Sequence, residues 1–202
     1  MRKICFTSDL DWATEKEITV MLEFFKELEV PLTVFVTHNS EVIQNAYRHI
    51  PQHVGLHPNF MPQSSHGNTY QEVIDFCQRL WNSKYYRSHC YFDNTRVTME
   101  FSRRRFKYNS NIPLFLLPDI KPFKHFSGIL YFPVFWEDDL QFPLEFNRLQ
   151  KRLDTDGLKI FAIHPSRLSQ KELKFLRDVI NHVGNRNLYY LDDLYNMEVN
   201  KE

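Results

Sequence analysis

An α/β fold, with a mostly parallel sheet or barrel covered by helices, is what this 202-residue chain predicts. Three observations lead there. Short β-branched and aromatic runs alternate with amphipathic helical segments along most of the chain. Three of the helical segments open on a capping-box pattern. Aspartate, histidine and arginine gather at the ends of the apolar runs, which is where loops converge in parallel α/β folds.

The elements follow in order. "KICFTSD" reads as a buried strand. "TEKEITVMLEFFKELE" reads as a helix with Ile18, Met21, Leu22, Phe25 and Leu28 on one face, opened by Thr14 and Glu17 as a capping box. After Pro31, "LTVFVTH" is a second strand and "SEVIQNAYRHI" a short helix starting at Ser40. "HVGLHP" is a strand, "TYQEVIDFCQRLW" a helix capped by Thr69 and Glu72, and "YYRSHCYF" a further strand. "LEFNRLQKRL" is helical, "LKIFAIHP" a strand, "SQKELKFLRDVINHV" a helix capped by Ser169 and Glu172, and the short "NLYYL" closes the series. Between Thr95 and Gln141 the pattern is weakest, because "FSRRRFKYNSN" and "KPFKHFSG" are polar and punctuated. There is no internal repeat, and the length suits one domain, 1–202.

Composition narrows the function. Twenty-five basic residues balance twenty-five acidic ones, so no global field would draw the chain onto nucleic acid or an anionic membrane. No apolar stretch approaches the roughly 20 residues of a membrane span, and "MRKICFTSDLDW" turns charged before a signal-peptide core could form. The expectation is a soluble, cytoplasmic protein. Cys5, Cys77 and Cys90 are odd in number and lack metal-ligand spacing, which fits reduced, buried thiols better than a disulfide framework.

The candidate chemistry sits at strand ends. In "SDLDWA", Asp9 and Asp11 point to the same side of a strand, a placement that calls for a cation or a shared proton. His57 and His66, in "GLHPNFMPQSSHG", offer imidazoles that with one carboxylate would hold zinc or a similar divalent ion and leave a position for water. The competing reading makes either one a loop histidine bonded to backbone. Arg87 lies at or near a buried strand and needs a carboxylate partner, for which Asp9 is the natural candidate. His164 follows an apolar strand directly before Pro165 and is placed to act as a general acid, or else bonds a neighbouring carbonyl in the turn. In "FPVFWEDDL", Trp136, Glu137, Asp138 and Asp139 form either an acidic helix start or a wall of the pocket, with helix start the reading for Asp139.

With these residues assembled, the chain resembles the polysaccharide deacetylase superfamily, also called the NodB-homology fold or carbohydrate esterase family 4. "GLHPNFMPQSSHG" is similar to its WbmS-like branch, associated with bacterial surface-polysaccharide gene clusters. The resemblance implies a single-domain distorted (β/α) barrel and metal-dependent removal of an acyl group from an amino sugar. By the order of the family's motifs, it implies Asp9 as catalytic base and Asp11, His57 and His66 as metal ligands. It further implies Arg87 as the residue orienting the base and His164 as the terminal histidine. The family sets its two aspartates side by side, whereas here Leu10 separates them, and its two histidines stand one helical turn apart, whereas here eight residues intervene.

Amide hydrolysis asks for an activated water, a stabilised oxyanion and a protonated leaving amine. A divalent ion, zinc first, would supply the activation, Asp9 would take the water proton, Arg87 would fix Asp9, and His164 would protonate the nitrogen. Asn59, Trp12 and Trp136 are read as contacts for a free, nucleotide-linked or lipid-linked saccharide, with Phe60 a further aromatic candidate. Ester or formamide hydrolysis would use the same residues. Two rivals are a catalytically silent sugar-binding protein of a polysaccharide assembly pathway and a cysteine hydrolase using Cys90 with His89. Neighbours on a strand point to opposite faces, which sets the cysteine reading aside.

Overall fold

The structure is a computed structural model that describes residues 2–139 and 146–201. The first half follows the expected alternation: β1 (Arg2–Asp9), α1 (Glu15–Glu27), β2 (Leu32–Val36), α2 (Glu41–Ala46), β3 (Val54–Leu56), α3 (Tyr70–Leu80) and β4 (Tyr85–Tyr86). Next come α4 (Thr95–Arg103), β5 (Tyr108–Asn109), β6 (Phe123–Lys124), β7 (Leu130–Tyr131) and β8 (Val134–Glu137). The chain ends with α5 (Phe146–Leu153), β9 (Gly157–Ile163), α6 (Gln170–Val183) and α7 (Leu191–Val199). The capping boxes at Thr14/Glu17, Thr69/Glu72 and Ser169/Glu172 all form, each satisfying backbone donors at a helix start. Residues 144 and 145 of the predicted "LEFNRLQKRL" helix lie outside the described residues.

The strands form one sheet in the order β6-β7-β5-β4-β3-β2-β1-β9-β8. Every pairing is parallel except β6 with β7. Its two ends are carried by a single run of chain. β7 pairs with β5, and two residues later β8 pairs with β9, so the sheet curls into a distorted barrel. The seam is tightened by the stretch after β5, where Leu114 N donates to Val134 O and Val134 N donates to Ile112 O, both at 2.8 Å.

Side-chain alternation then decides what faces where. On β1, Phe6 stacks on Phe161 of β9 at 5.0 Å and meets Phe25 of α1 at 5.5 Å, so the even positions face the helices. Thr7 and Asp9 therefore point inward. Gly55 of β3 is a place where only glycine fits, since a Cβ there would lie 2.5 Å from the Tyr85 ring and 2.6 Å from the Phe35 ring. The pairs Ser8 with Ile163, Leu56 with Tyr86, and Glu137 with Ala162 bring the carboxyl ends of five strands to one rim.

Three sequence expectations change. "YYRSHCYF" is strand only over Tyr85–Tyr86 and then turns into a 3₁₀ segment, His89–Tyr91. "NLYYL" makes a lone bridge, Leu188 to Ile4, and leads into α7, which packs at the amino-terminal end of the barrel through Leu191 N and Thr33 Oγ1 at 3.0 Å. The polar middle holds α4, whose Val97, Thr98 and Phe101 are buried. Among the described residues, no helix is long and apolar enough to cross a membrane.

Candidate active site

β1 delivers Asp9 to the rim inside the barrel, where Arg87 meets it with Nη1 3.0 Å from Asp9 Oδ1. Arg87 is wholly buried, and an unpaired guanidinium there would be costly. Nε donates to Ser110 O at 2.9 Å, Nη1 also to Thr7 Oγ1 at 2.8 Å and Nη2 to Ser110 Oγ at 2.8 Å, while the cation lies 4.6 Å from the centre of the Phe35 ring. The Asp9 carboxylate is thus fixed by a cation that is itself fixed.

Past the strand, the chain turns at Asp11 and Trp12, both with left-handed backbone (φ +41° and +57°). Across the rim Cys90 and Tyr91 do the same (φ +53° and +52°). Strain of this kind in non-glycine residues persists where the surroundings enforce it, and here it aims side chains into a common space. Asp11 Oδ1 lies 3.0 Å from His57 Nε2 and 2.9 Å from His89 Nδ1, and its Oδ2 lies 3.3 Å from His164 Nε2. Among the described residues, Asp11, His57 and His89 offer ligand atoms that all lie within 4.8 Å of one another.

This donor set fits a divalent metal ion. His57 is 2 % exposed, yet neither ring nitrogen makes a directed hydrogen bond among the described residues, which is an expensive state for a buried imidazole unless something else binds it. Two imidazoles and a carboxylate suit zinc or a similar ion. Burial alone would raise the Asp11 acid, but the imidazoles of His164, His57 and His89 around it outweigh that and hold it well below the usual carboxylate range. The hydrogen bond to Asp11 also raises His89.

His164 extends from the end of β9. Its backbone N donates to Asp138 Oδ2 at 2.7 Å, and its Nδ1 lies 2.6 Å from Asp138 Oδ1. Asp138 holds both ring and backbone, leaving Nε2 toward the cavity. Burial opposes a charge on His164, yet the hydrogen bonds to Asp11 and Asp138 lift it to about 11. Burial raises Asp138, with His164 opposing. Glu137, 4.0 Å from His164 Nε2, is pushed up to about 7 by burial and by the charge of Asp9.

Other placements differ from the sequence reading. His66 is not brought to the cluster: its Nδ1 accepts a hydrogen bond from Asn59 N at 3.1 Å and its ring stacks on Phe76 of α3 at 4.6 Å. Trp136 is 5 % exposed and stacks on Phe175 of α6 at 5.1 Å, in the core rather than on the cavity. Asn59 turns its side chain to its own loop, Oδ1 accepting from Met61 N at 3.0 Å. Trp12, by contrast, stands at the mouth, half-exposed and 5.4 Å from the His89 ring. Asp139 is in a turn after β8 and pairs with Arg167, and the residues that would continue a helix from it lie outside the described residues. Cys90 is exposed rather than buried and burial still raises its thiol, so it is no activated nucleophile. His89 was the residue passed over. Its signal was available, because Arg-x-His repeats the two-residue spacing of Asp-x-Asp on the facing loop.

Asp9, Asp11, His57, Ser88, His89, Cys90, Tyr91, Glu137, Asp139 and His164 together line a cavity of about 50 Å³. A base candidate held by arginine, a histidine held by aspartate and a metal-type cluster between them are the parts of a hydrolase, and the family model for WbmS-like polysaccharide deacetylases matches residues 6–174. The chain belongs to that family.

Solved structures agree on the fold of this WbmS-like chain. WbmS from Bordetella bronchiseptica, described as a polysaccharide deacetylase involved in O-antigen biosynthesis, superposes with a TM-score of 0.70 at 22% identity, over 96% of this chain and 90% of its own. A protein from Mycobacterium smegmatis, also described as a polysaccharide deacetylase, gives 0.64 at 15% identity, over 99% and 92%. A CE4 family pseudoenzyme from Bacillus anthracis gives 0.50 at 13% identity, over 90% and 60%, so the fold also serves a protein without the activity. No curated protein matches the chain.

Proposed function

We propose that this chain is a metal-dependent N-deacetylase that removes an acetyl or similar acyl group from an amino sugar in bacterial surface-polysaccharide, O-antigen-like, biosynthesis. The observation that carries the reading is the flanking of Asp11, His57 and His89 by Asp9–Arg87 on one side and His164–Asp138 on the other. The family and the fold shared with WbmS support it.

Asp11, His57 and His89 would hold the ion, zinc first among candidates. When bound, it supplies polarisation of the carbonyl and a water acidified toward neutrality. Asp9 accepts a proton from water as the oxygen adds to the carbonyl carbon. Arg87 keeps its carboxylate aimed. His164, charged and oriented by Asp138, gives the Nε2 proton to the nitrogen as the C–N bond breaks, so that amide and water become amine and carboxylic acid. The substrate is an amino sugar, free, nucleotide-linked or lipid-linked, with Trp12 at the mouth to stack on a sugar face. The three cysteines are unpaired, which supports a reducing, cytoplasmic setting.

The test is acetate release from a panel of N-acetylated amino sugars by zinc-loaded protein. Activity that a chelator removes and zinc restores is the expected result. Stoichiometric zinc with no release from any sugar would favour the silent sugar-binding reading instead.

A further inference from the structure

β8 alternates so that Trp136 packs outward on Phe175 while Glu137, its last residue, turns in. Glu137 is largely buried, lines the cavity and, among the described residues, makes no hydrogen bond to Asp9, His164 or the metal-type cluster. Beside it in the cavity lining, the buried Tyr91 hydroxyl faces Glu137 and makes no close hydrogen bond among the described residues. A carboxyl and a phenol left this way on a site wall call for a ligand group to bond.

The distance to His164 says which group. Glu137 Oε1 and His164 Nε2 are 4.0 Å apart, so one ligand atom has room to sit at hydrogen-bonding distance, about 3 Å, from both. In the deacetylase reading, on which this inference rests, that atom is the scissile nitrogen. A secondary amide nitrogen has one hydrogen and, as it pyramidalises, one lone pair. We propose that Glu137 accepts the N–H of the scissile amide, turning the lone pair toward His164, and that this makes the site selective for N-acyl over O-acyl substrates. An ester presents an oxygen there. It has no hydrogen to donate, and its lone pairs face the carboxylate unfavourably. After His164 donates its proton and the C–N bond breaks, the same carboxylate lies beside the amine and pairs with its ammonium form.

The groups facing Glu137 are consistent with this. His164 and Arg87 favour its anion, burial, Asp9 and Asp138 oppose it, and the Tyr91 hydroxyl also faces it. The assays are run at pH 8, above the value of about 7 to which burial and Asp9 push Glu137.

The experiment compares zinc-loaded wild type, Glu137→Ala and Glu137→Gln on N-acetylhexosamine glycosides and on 4-nitrophenyl acetate. Glu137→Ala is expected to lower the ratio of amide to ester kcat/KM by about 10–100-fold, the loss of one hydrogen bond to a charged acceptor. Glu137→Gln, which keeps a carbonyl acceptor, should lie between and serves if the alanine variant is not recovered folded. Inhibition by the free amino sugar should weaken in parallel with that ratio, with zinc content unchanged. An unmoved ratio in both variants overturns the inference, as does a wild type that cleaves only the ester. A wild type that cleaves neither substrate removes the hydrolase reading beneath it.

Discussion

Asp11 Oδ1 stands 2.9 Å from His89 Nδ1, and the two residues are as far apart in sequence, 78 positions, as the ion-paired Asp9 and Arg87. Two loops therefore face each other in step: a two-residue advance on one is matched by a two-residue advance on the other. The inner pair holds the base candidate and the outer pair joins the metal-type cluster. That separation predicts that the two aspartates fail in different ways when altered.

Asp9→Asn should keep stoichiometric zinc and lose turnover by about 10²-fold or more, as for a removed base. Asp11→Asn should lose zinc affinity first. Calorimetric zinc titration of both variants beside the deacetylation rate checks this. Zinc loss in Asp9→Asn with zinc retained in Asp11→Asn would reverse the two roles.

Arg87 should be more important to stability than its surface-exposed counterparts. Its replacement by methionine leaves the Asp9 carboxylate buried at 2 % exposure without its partner, a loss of about 3–5 kcal/mol. Denaturant melts of Arg87→Met and of the double variant Arg87→Met with Asp9→Asn should show the double variant recovering part of the loss. An equal or larger loss in the double variant would mean that packing against Phe35, not the charge, is what Arg87 contributes.

Much of this site was legible because regular strands carry it. Asp9, Arg87 and His164 sit at or just after strand ends, where alternation and burial alone specify which way a side chain points. His89 was harder to see, since Ser88 to Tyr91 leave the strand for a 3₁₀ turn with two left-handed residues, and the period-2 rule stops applying there. The barrel seam was hidden for a related reason: β5, β6 and β7 are two residues each, too short to show a periodicity. α7 was masked by the aromatic run before it, whose Tyr190 serves as a helix cap and stacks on His53 rather than extending a strand.

Asp138 should set the alkaline limit of the rate. His164 must carry its proton to act as an acid, and hydrogen bonds to Asp138 and Asp11 raise it to about 11 against burial. Asp138→Asn removes one of those anions, so the descending limb of the pH–rate profile should move to lower pH, with turnover at pH 7 reduced by about 10–100-fold. Zinc content should be unaffected. A profile that falls but keeps its alkaline limb would assign that limb to another group.

The last prediction separates His66 from His89. His66 Nδ1 accepts the Asn59 N–H and its ring is stacked on Phe76, so the folded chain needs it neutral. Burial lowers it from its ordinary value to about 4. Between about 4 and the ordinary value of about 6.5, the unfolded chain binds a proton at His66 that the native state does not, so stability falls as pH drops through that window. His66→Gln should flatten this dependence and destabilise the fold by about 1–3 kcal/mol while retaining zinc. His89→Gln should do the opposite, leaving the melt nearly unchanged and weakening zinc by more than the 10–100-fold typical of groups one step removed from a metal. Denaturant melts from pH 4 to 7 and zinc titration of the two variants side by side decide it. Zinc lost in His66→Gln and kept in His89→Gln would mean that the loop after β3 refolds around the ion, bringing His66 to the place His89 holds beside Asp11.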